Sequence, residues 1–251
     1  MNKKIQILSV SLLTLLSSCV KDDVSPYFAR TLGEVNEYLT GISDFSGVCI
    51  NETETGLYGI SNAGLLYNIG FDGTVLGTVP FTSTHDFEGV TVDKSTGTIY
   101  LCEEAEMAIY TVNADKKGVT KIADIPVENG VPNKGLEGVA FGNGNLYIAN
   151  QAEPTVVFTY SLSSKKVVSQ MTVTFASFLS DLYFDESNST LWAVDSEKFL
   201  ATNFTTDGEV IATYKVDFVV KPEGICVDYT RGVVWFSCDG SGRLYSAKIN
   251  F

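Results

Sequence analysis

The sequence predicts an all-β protein, a five-bladed β-propeller with four antiparallel strands in each blade, and three observations support this fold class. A short motif recurs five times, and successive copies are 42, 49, 43 and 43 residues apart. The same order of turns and apolar strands follows each copy, and a strand-like segment without a partner precedes the first copy. Repeats of about 40 to 50 residues are typical of propeller blades, whereas leucine-rich and ankyrin repeats are shorter.

The motif joins an apolar residue, a polar residue, a glycine in most copies, and a second apolar residue. Glutamate precedes the glycine in three of the five copies. The copies are Phe45-Ser46-Gly47-Val48, Phe87-Glu88-Gly89-Val90, Leu136-Glu137-Gly138-Val139, Leu179-Ser180-Asp181-Leu182 and Pro222-Glu223-Gly224-Ile225. Glycine at this place lets the inner strands of a crowded ring approach one another, because it has no side chain.

Each motif begins a predicted first strand, which ends at a turn rich in Asn, Asp, Gly and Thr. The second strands carry aromatic and aliphatic residues, and they read LYGIS, IYLCE, LYIAN, LWAVD and VWFSC. A third strand follows in every unit, and a fourth closes the first four units. The last unit ends at Phe251 after its third strand.

Residues 30–39, RTLGEVNEYL, are predicted to supply the missing outer strand of the last unit. A ring that stayed open would leave an unpaired strand edge, which folded proteins avoid. This closure gives five blades, and the alternative of six blades would need a further repeat. No proline-rich linker interrupts the chain, so residues 30–251 are predicted to form a single domain.

The N-terminus has the features of a bacterial export signal. Lys3 and Lys4 precede an apolar stretch that is too short for a permanent transmembrane helix. The following Leu16-Ser17-Ser18-Cys19 resembles a lipobox, so residues 1–18 are predicted to be a signal peptide and Cys19 a lipidated residue. Residues 19–29 would form a tether. We expect a membrane attachment through acyl chains only, in the outer membrane and exposed at the cell surface; a signal with an incidental cysteine is the alternative.

Charge and composition exclude several classes of function. The chain has 17 basic and 30 acidic residues, a net charge of −13, which disfavours binding to nucleic acid. One histidine and the absence of a Cys-x-x-Cys pair argue against structural zinc. The remaining cysteines, Cys49, Cys102, Cys226 and Cys238, are expected to be buried thiols rather than disulfides. The protein is expected to be a monomer.

Polar residues are predicted to gather at one mouth of the central channel. In a propeller blade, the start of the first strand and the end of the second strand lie on the same face. The residues that enter first strands are Asp44, Asp86, Glu88, Glu137, Asp181 and Glu223, and those that leave second strands are Glu103, Glu104, Asn150, Gln151, Asp195 and Asp239. So many oxygen donors suit Ca²⁺ or a polar ligand. Alternatively, each glutamate caps backbone amides of a neighbouring blade as part of the repeat.

Five basic residues are predicted to lie near this mouth. His85 lies beside Asp86 and has the chemistry of a general base, although a surface role is the simpler interpretation. The cations Lys134, Lys198, Lys221 and Arg243 fall in nearby loops, where they would pair with acids or hold an anionic ligand.

The elements DFEGV, PEGI and the first unit, ISDFSGVCINETETGLYGISNAGLLYNIGFDG, resemble the SdiA-regulated, or YjiK-like, family of bacterial propellers over about residues 40–251. The resemblance implies a periplasmic or surface propeller with Ca²⁺. Two copies lack the Glu-Gly pair, so a fivefold symmetric metal ring is not expected. A subset is predicted instead, with Glu88, Glu137, Glu223 and Asp195 as metal ligands. The predicted ligand-binding residues are Asp86, Glu103, Glu104, Asn150, Asp181 and Asp239.

Two functions fit these observations. The first is a non-enzymatic lipoprotein that binds a small molecule, glycan or protein at the acidic mouth. The second is a metal-dependent hydrolase, of a lactonase type resembling gluconolactonase or of a phosphoesterase type resembling phytase. A lactonase site would use Glu88, Asn150 and Asp195 on one ion.

Overall fold

The structure is a computed structural model, and it describes residues 29–81, 83–128, 130–131 and 134–249. The predicted signal peptide, Cys19 and the tether up to residue 28 lie outside these residues. Among the residues described, no helix is long and apolar enough to cross a membrane.

Two short strands precede the repeats, β1 (Arg30–Thr31) and β2 (Val35–Leu39). The first blade contains β3 (Phe45–Ile50), β4 (Leu57–Ser61), β5 (Leu65–Ile69) and β6 (Val75–Thr78), and the second contains β7 (Phe87–Asp93), β8 (Thr98–Glu103), β9 (Ala108–Val112) and β10 (Val119–Asp124). The third contains β11 (Leu136–Gly142), β12 (Asn145–Asn150), β13 (Val156–Ser161) and β14 (Lys166–Thr172).

The fourth blade contains β15 (Leu179–Asp185), β16 (Thr190–Asp195), β17 (Leu200–Thr205) and β18 (Val210–Lys215). The fifth contains β19 (Pro222–Asp228), β20 (Val233–Cys238), a 3₁₀ turn (Asp239–Ser241) and β21 (Arg243–Lys248). Neighbouring strands among β2 to β21 are antiparallel within each blade, and the described part of the chain forms five such sheets. The predicted five-bladed propeller is therefore confirmed.

The ring is closed by the N-terminal segment, as predicted. Strand β2 pairs antiparallel with β21 and becomes the outer strand of the fifth blade, with Val35 opposite Ala247 and Leu39 opposite Arg243. The structure adds one detail to the prediction: β1 does not continue this strand. It pairs in parallel with β18, so the fourth blade has five strands. The segment thus joins the fourth and fifth blades.

The hydrophobic core is divided among the blade interfaces. Five clusters of buried side chains each take residues from two neighbouring blades. The first strands are almost completely buried because they line the channel and carry apolar residues toward both neighbours. The four cysteines of the described chain, Cys49, Cys102, Cys226 and Cys238, are free and buried, as predicted. This packing holds the starts of all five inner strands around one axis.

Candidate functional site

A β-bulge positions the second residue of the motif in every blade. The pairing register between first and second strands shifts at this place in all five sheets. In the third blade, for example, Leu136 pairs with Asn150 and Gly138 with Ala149, which leaves Glu137 outside the ladder. A bulge turns the extra residue away from the normal alternation of side chains. The glutamates therefore lie at the mouth although they belong to buried strands.

The glycines of the motif allow this crowding. A side chain at Gly138 would meet the Cα atom of Asp181 at 2.6 Å and the nitrogen of Leu182 at 2.7 Å. Both atoms belong to the backbone of the next inner strand, so they cannot move aside easily. The predicted reason for glycine at this position is therefore confirmed.

Three of the predicted carboxylates form one cluster. Asp86, Glu88 and Glu104 each offer a carboxylate oxygen, and these oxygens all lie within 4.8 Å of one another. Asp86 precedes β7 and Glu104 follows β8, and the Glu104 amide donates to the Asp86 carbonyl at 3.1 Å. Glu88 is 6% exposed, whereas the other two are partly exposed. Within the described chain, no lysine or arginine forms an ion pair with any of the three.

The environment of Glu88 disfavours its charge. Burial raises the pKa of Glu88 to about 8, and repulsion from Asp86, Glu104 and Glu223 acts in the same direction, while a hydrogen bond from Ser46 opposes it. Burial also raises the pKa of Glu104, against a hydrogen bond from the Gly135 amide. A bound cation would reverse this balance, because it attracts the ionised carboxylates.

The other two motif glutamates have protein partners. The Gln151 amide donates to Glu137 at 2.6 Å. The Lys221 ammonium lies 2.9 Å from Glu223 and also pairs with Asp239. Burial and repulsion by other glutamates, first Glu88, nevertheless raise the pKa of Glu137 well above its usual value. Glu137 and Glu223 therefore border the cluster but are already hydrogen-bonded.

Asp181 lies on the channel axis rather than at a ligand-accessible rim. It stands where four other copies have glycine, and it is fully buried. One carboxylate oxygen accepts the Ile225 amide at 3.0 Å. The other makes no hydrogen bond of normal geometry with the described residues, although the amides of Leu182, Val48 and Val139 favour the ionised form. Burial dominates and raises the Asp181 pKa well above its usual range. Asp181 therefore fills space at the channel axis and links the fourth and fifth blades through its hydrogen bond with Ile225.

Three other predicted residues serve local loops. Glu103 accepts the amides of Asp86 at 3.3 Å and Glu106 at 2.5 Å. Asn150 donates to the carbonyls of Ala152 at 3.2 Å and Pro154 at 2.7 Å.

Asp195 accepts four backbone amides through its two carboxylate oxygens. Those of Ser177 and Phe178 donate at 2.7 and 3.5 Å, and those of Glu197 and Lys198 at 3.0 and 2.8 Å. Because both oxygens are occupied, Asp195 is held as a loop cap. We correct the predicted set of Glu88, Asn150 and Asp195 at Asp195, whose two oxygens bind backbone amides instead of joining Glu88. The Oδ1 atom of Asn150 has no hydrogen-bond partner among the described residues. Glu103 and Asp195 thus accept amides of their own loops, and the Asn150 amide nitrogen donates to carbonyls of its loop.

The predicted basic residues form mostly local pairs. The His85 ring packs on Tyr110 with 4.5 Å between the ring centroids, and its Nδ1 atom lies 4.0 Å from Glu103. Lys134 pairs with Glu153 and Arg243 with Glu37, while Lys198 donates to the Phe175 carbonyl. Lys221 alone contacts a motif glutamate.

Sequence reasoning missed Asn62. Its amide donates to Glu88 at 2.6 Å and accepts the Ser46 hydroxyl at 2.5 Å, so it links two motif residues from different blades. Asn62 follows the second strand of the first blade, at the place that Glu104 and Gln151 occupy in the next blades. Aligning the repeats on the end of the second strand, rather than on acidic residues alone, would have found it.

The fold and this mouth define a class of protein, a five-bladed propeller with a cluster of carboxylates at one end of its channel. Residues 28–177, more than half of the chain, match the SdiA-regulated family. The chain belongs to this family, as its motifs had indicated. No curated protein matches the chain.

Solved structures show the same fold at low identity. A glutaminyl cyclase from Myxococcus xanthus is 12% identical, with a TM-score of 0.65, and the match covers 86% of this chain and 94% of that one. A gluconolactonase from Xanthomonas campestris is 15% identical, with a TM-score of 0.57 and coverage of 90% and 93%. A virginiamycin B lyase from Staphylococcus aureus is 16% identical, with a TM-score of 0.51 and coverage of 87% and 75%. These similarities concern the fold.

Proposed function

We propose that this protein is a lipid-anchored propeller of the bacterial cell envelope that binds Ca²⁺ through Asp86, Glu88 and Glu104, and that the acidic mouth binds a polar ligand or partner. One observation supports the proposal. The carboxylates of Asp86, Glu88 and Glu104 lie close together, Glu88 is buried, and no lysine or arginine of the described chain forms an ion pair with them.

The donor set fits Ca²⁺. Two oxygens bound to one ion at about 2.4 Å lie at most about 4.8 Å apart, and the three carboxylates meet this condition. Hard oxygen donors without sulfur favour Ca²⁺ over zinc or copper. Because Ca²⁺ takes about six to eight oxygen ligands, three carboxylates leave positions for water or for the oxygens of a ligand.

The non-enzymatic function is favoured by what surrounds the cluster. Asn150 and Asp195, which a lactonase site was predicted to use, hold their own loops. The glutamates nearest the cluster are paired with Gln151 and Lys221. These hydrogen bonds and ion pairs hold the side chains around the cluster in place before a ligand binds, which suits a binding site.

Isothermal titration with Ca²⁺ tests the proposal. We expect binding by the wild type, and a loss of affinity of at least about tenfold in Glu88→Gln and Glu104→Gln, because each removes a charged ligand. Glu223→Gln is the matched control, since it changes the same motif position in a blade where Lys221 already pairs with the glutamate. Equal affinities in Glu88→Gln and the wild type would refute the site.

The lipid anchor is tested separately. Metabolic labelling with a palmitate analogue should mark the wild-type protein and not Cys19→Ser, and fractionation with protease treatment of intact cells should place the protein at the outer membrane surface. Labelling that survives Cys19→Ser would exclude this anchor without affecting the cation site.

Lactone hydrolysis is the second candidate, and the fold shared with a gluconolactonase is the observation that favours testing it. Bound Ca²⁺ would polarise a carbonyl oxygen. Acid release from gluconolactone, abolished by Glu88→Gln and by chelator, would establish this activity. If hydrolysis stays at the spontaneous rate, the lactonase candidate is rejected and the binding function is retained.

A further inference from the structure

A cavity lies at the mouth of the channel opposite the acidic cluster. Its volume is about 320 Å³, and it is bounded by the far ends of inner strands β3, β7, β11 and β15 and by the turn after β19. The acidic cluster lies where these strands begin. The buried Asp181 side chain and the close approach of the motif glycines lie between the two mouths. The cavity is therefore separate from the proposed cation site.

The cavity has aromatic walls and a polar edge. Phe141, Tyr183, Phe184 and Tyr229 line it. The Phe141 and Phe184 rings stack on Tyr100 and Tyr147, and Tyr229 is exposed. Its charged groups are largely engaged already. Lys94 pairs with Glu54 at 2.7 Å.

Asp185, at the polar edge, is satisfied within the protein. It accepts the amide and hydroxyl of Ser187, at 2.9 and 2.6 Å, and also the Tyr229 hydroxyl. With Lys94 and Asp185 both occupied, no free buried charge calls for an ionic ligand.

Two hydroxyl groups of the cavity retain hydrogen-bonding capacity. The Tyr183 hydroxyl has no hydrogen-bond partner among the residues described, although the side chain is partly buried. Tyr183 is one of the residues that line the cavity. Burial raises the pKa of Tyr183, which keeps the hydroxyl a donor. Thr91 accepts the Phe141 amide at 3.1 Å through its oxygen, so its own proton is available to a ligand.

Glu186 completes the set as an exposed acceptor that forms no ion pair in the described chain. The cavity therefore offers aromatic side chains, two hydroxyl donors and one acceptor. Buried polar groups without partners are uncommon in folded proteins, and at a cavity wall they mark a place for a ligand.

We propose that this cavity binds one neutral sugar ring. The C–H face of a pyranose would pack on the aromatic rings, its ring or hydroxyl oxygens would accept from Tyr183 and Thr91, and one of its hydroxyls would donate to Glu186. A small anion would meet the carboxylates of Glu186 and Asp185. The volume lies at the lower end of the range for small-molecule sites, which suits a single ring.

Saturation-transfer NMR and calorimetric titration of the full chain with glucose, galactose and N-acetylglucosamine test the proposal. We expect at least one of these sugars to bind, and Tyr183→Phe to weaken its binding by about fivefold to tenfold. The melting temperature of Tyr183→Phe should stay unchanged, because its hydroxyl bonds to no described residue. Tyr160→Phe, a matched change outside the cavity, should leave binding unchanged.

Glu88→Gln separates this site from the acidic mouth, since it should leave sugar binding intact whether or not it abolishes Ca²⁺ binding. The proposal is overturned if none of the three sugars binds, if binding is insensitive to Tyr183→Phe, or if Glu88→Gln removes it. Binding of choline in place of the sugars would also overturn it, because that result would define a site for organic cations.

Discussion

At the scale of single residues, identical motif positions have acquired different tasks. Glu88 joins Asp86 and Glu104, Glu137 is held by Gln151, and Asp181 replaces glycine to occupy the channel axis. Glu88 and Glu137 differ because the residues that follow nearby second strands differ, Asn62 and Glu104 beside Glu88 and Gln151 beside Glu137. The cation site therefore lies off the axis, in the second blade, rather than at the centre of a symmetric ring.

Asp181→Ala should destabilise the protein. The substitution leaves the Ile225 amide without its acceptor in a fully buried place, which costs about 1–3 kcal/mol in free energy of unfolding. Asp181→Asn keeps an acceptor oxygen and should cost clearly less. Urea unfolding of both variants checks this, and equal stability of Asp181→Ala and the wild type would show that the axial carboxylate ties nothing together.

Stability without a bound cation should fall as the pH rises from 5 to 8. The folded state raises the pKa of Glu137 above its usual value and that of Glu88 to about 8. The folded carboxyls thus keep protons that the unfolded chain has lost, and deprotonation favours unfolding across this range. Glu137→Gln should flatten the slope by up to about 1.4 kcal/mol per pH unit.

Urea unfolding in chelator at several pH values measures this slope. Glu128→Gln, an exposed glutamate, is the control and should keep the wild-type slope. A wild-type free energy of unfolding that rises between pH 5 and 8 would contradict the assigned direction of the pKa shifts.

At the scale of elements, the inner strand is the unit that builds the site. Its bulge turns the second motif residue toward the mouth, and its glycine lets the next inner strand come close. The same strand supplies the far cavity with its other end, at Thr91 in β7 and Phe141 in β11. One set of strands therefore positions both the proposed cation site and the cavity at the opposite mouth.

Gly138→Ala tests the close approach of inner strands. The added methyl group would meet backbone atoms of Asp181 and Leu182 within 2.7 Å, so the strands must separate, at a cost of about 1–3 kcal/mol or more. Gly240→Ala is the matched control, because its methyl group would enter open space and should change stability by less than about 0.5 kcal/mol. Thermal unfolding compares them; similar melting temperatures would mean that the ring tolerates wider spacing.

At the scale of the whole molecule, the N-terminal segment closes the ring. Strand β2 covers the edge of β21, and Tyr38 packs on Trp235 with 5.9 Å between ring centroids. Without β2, the edge of β21 would be free to pair with another chain. Stability of the ring and solubility of the protein thus depend on the same segment.

Deletion of the chain through Leu39 should lower the melting temperature and cause self-association. Deletion through Thr31, which removes β1 but keeps β2, should have a smaller effect on both. Calorimetry and light scattering check these outcomes. A monomeric protein of wild-type stability after the longer deletion would show that β2 does not close the ring.

The sequence was sufficient for the architecture because repeat spacing, strand order and the unpaired segment are local patterns. It was not sufficient for the site. Whether Asp195 binds a cation or caps a loop depends on the path of residues 175–178, and whether Glu223 is free depends on Lys221. Such choices are made by contacts between loops, which the repeat pattern does not encode. Asn62 could have been found from repeat register alone.

Anomalous diffraction from crystals grown with Sr²⁺ in place of Ca²⁺ locates the bound cation. We expect one strong peak within about 2.7 Å of carboxylate oxygens from Asp86, Glu88 and Glu104. A peak held instead by Glu223 or Asp195, or no peak at this mouth, would contradict the proposed cation site.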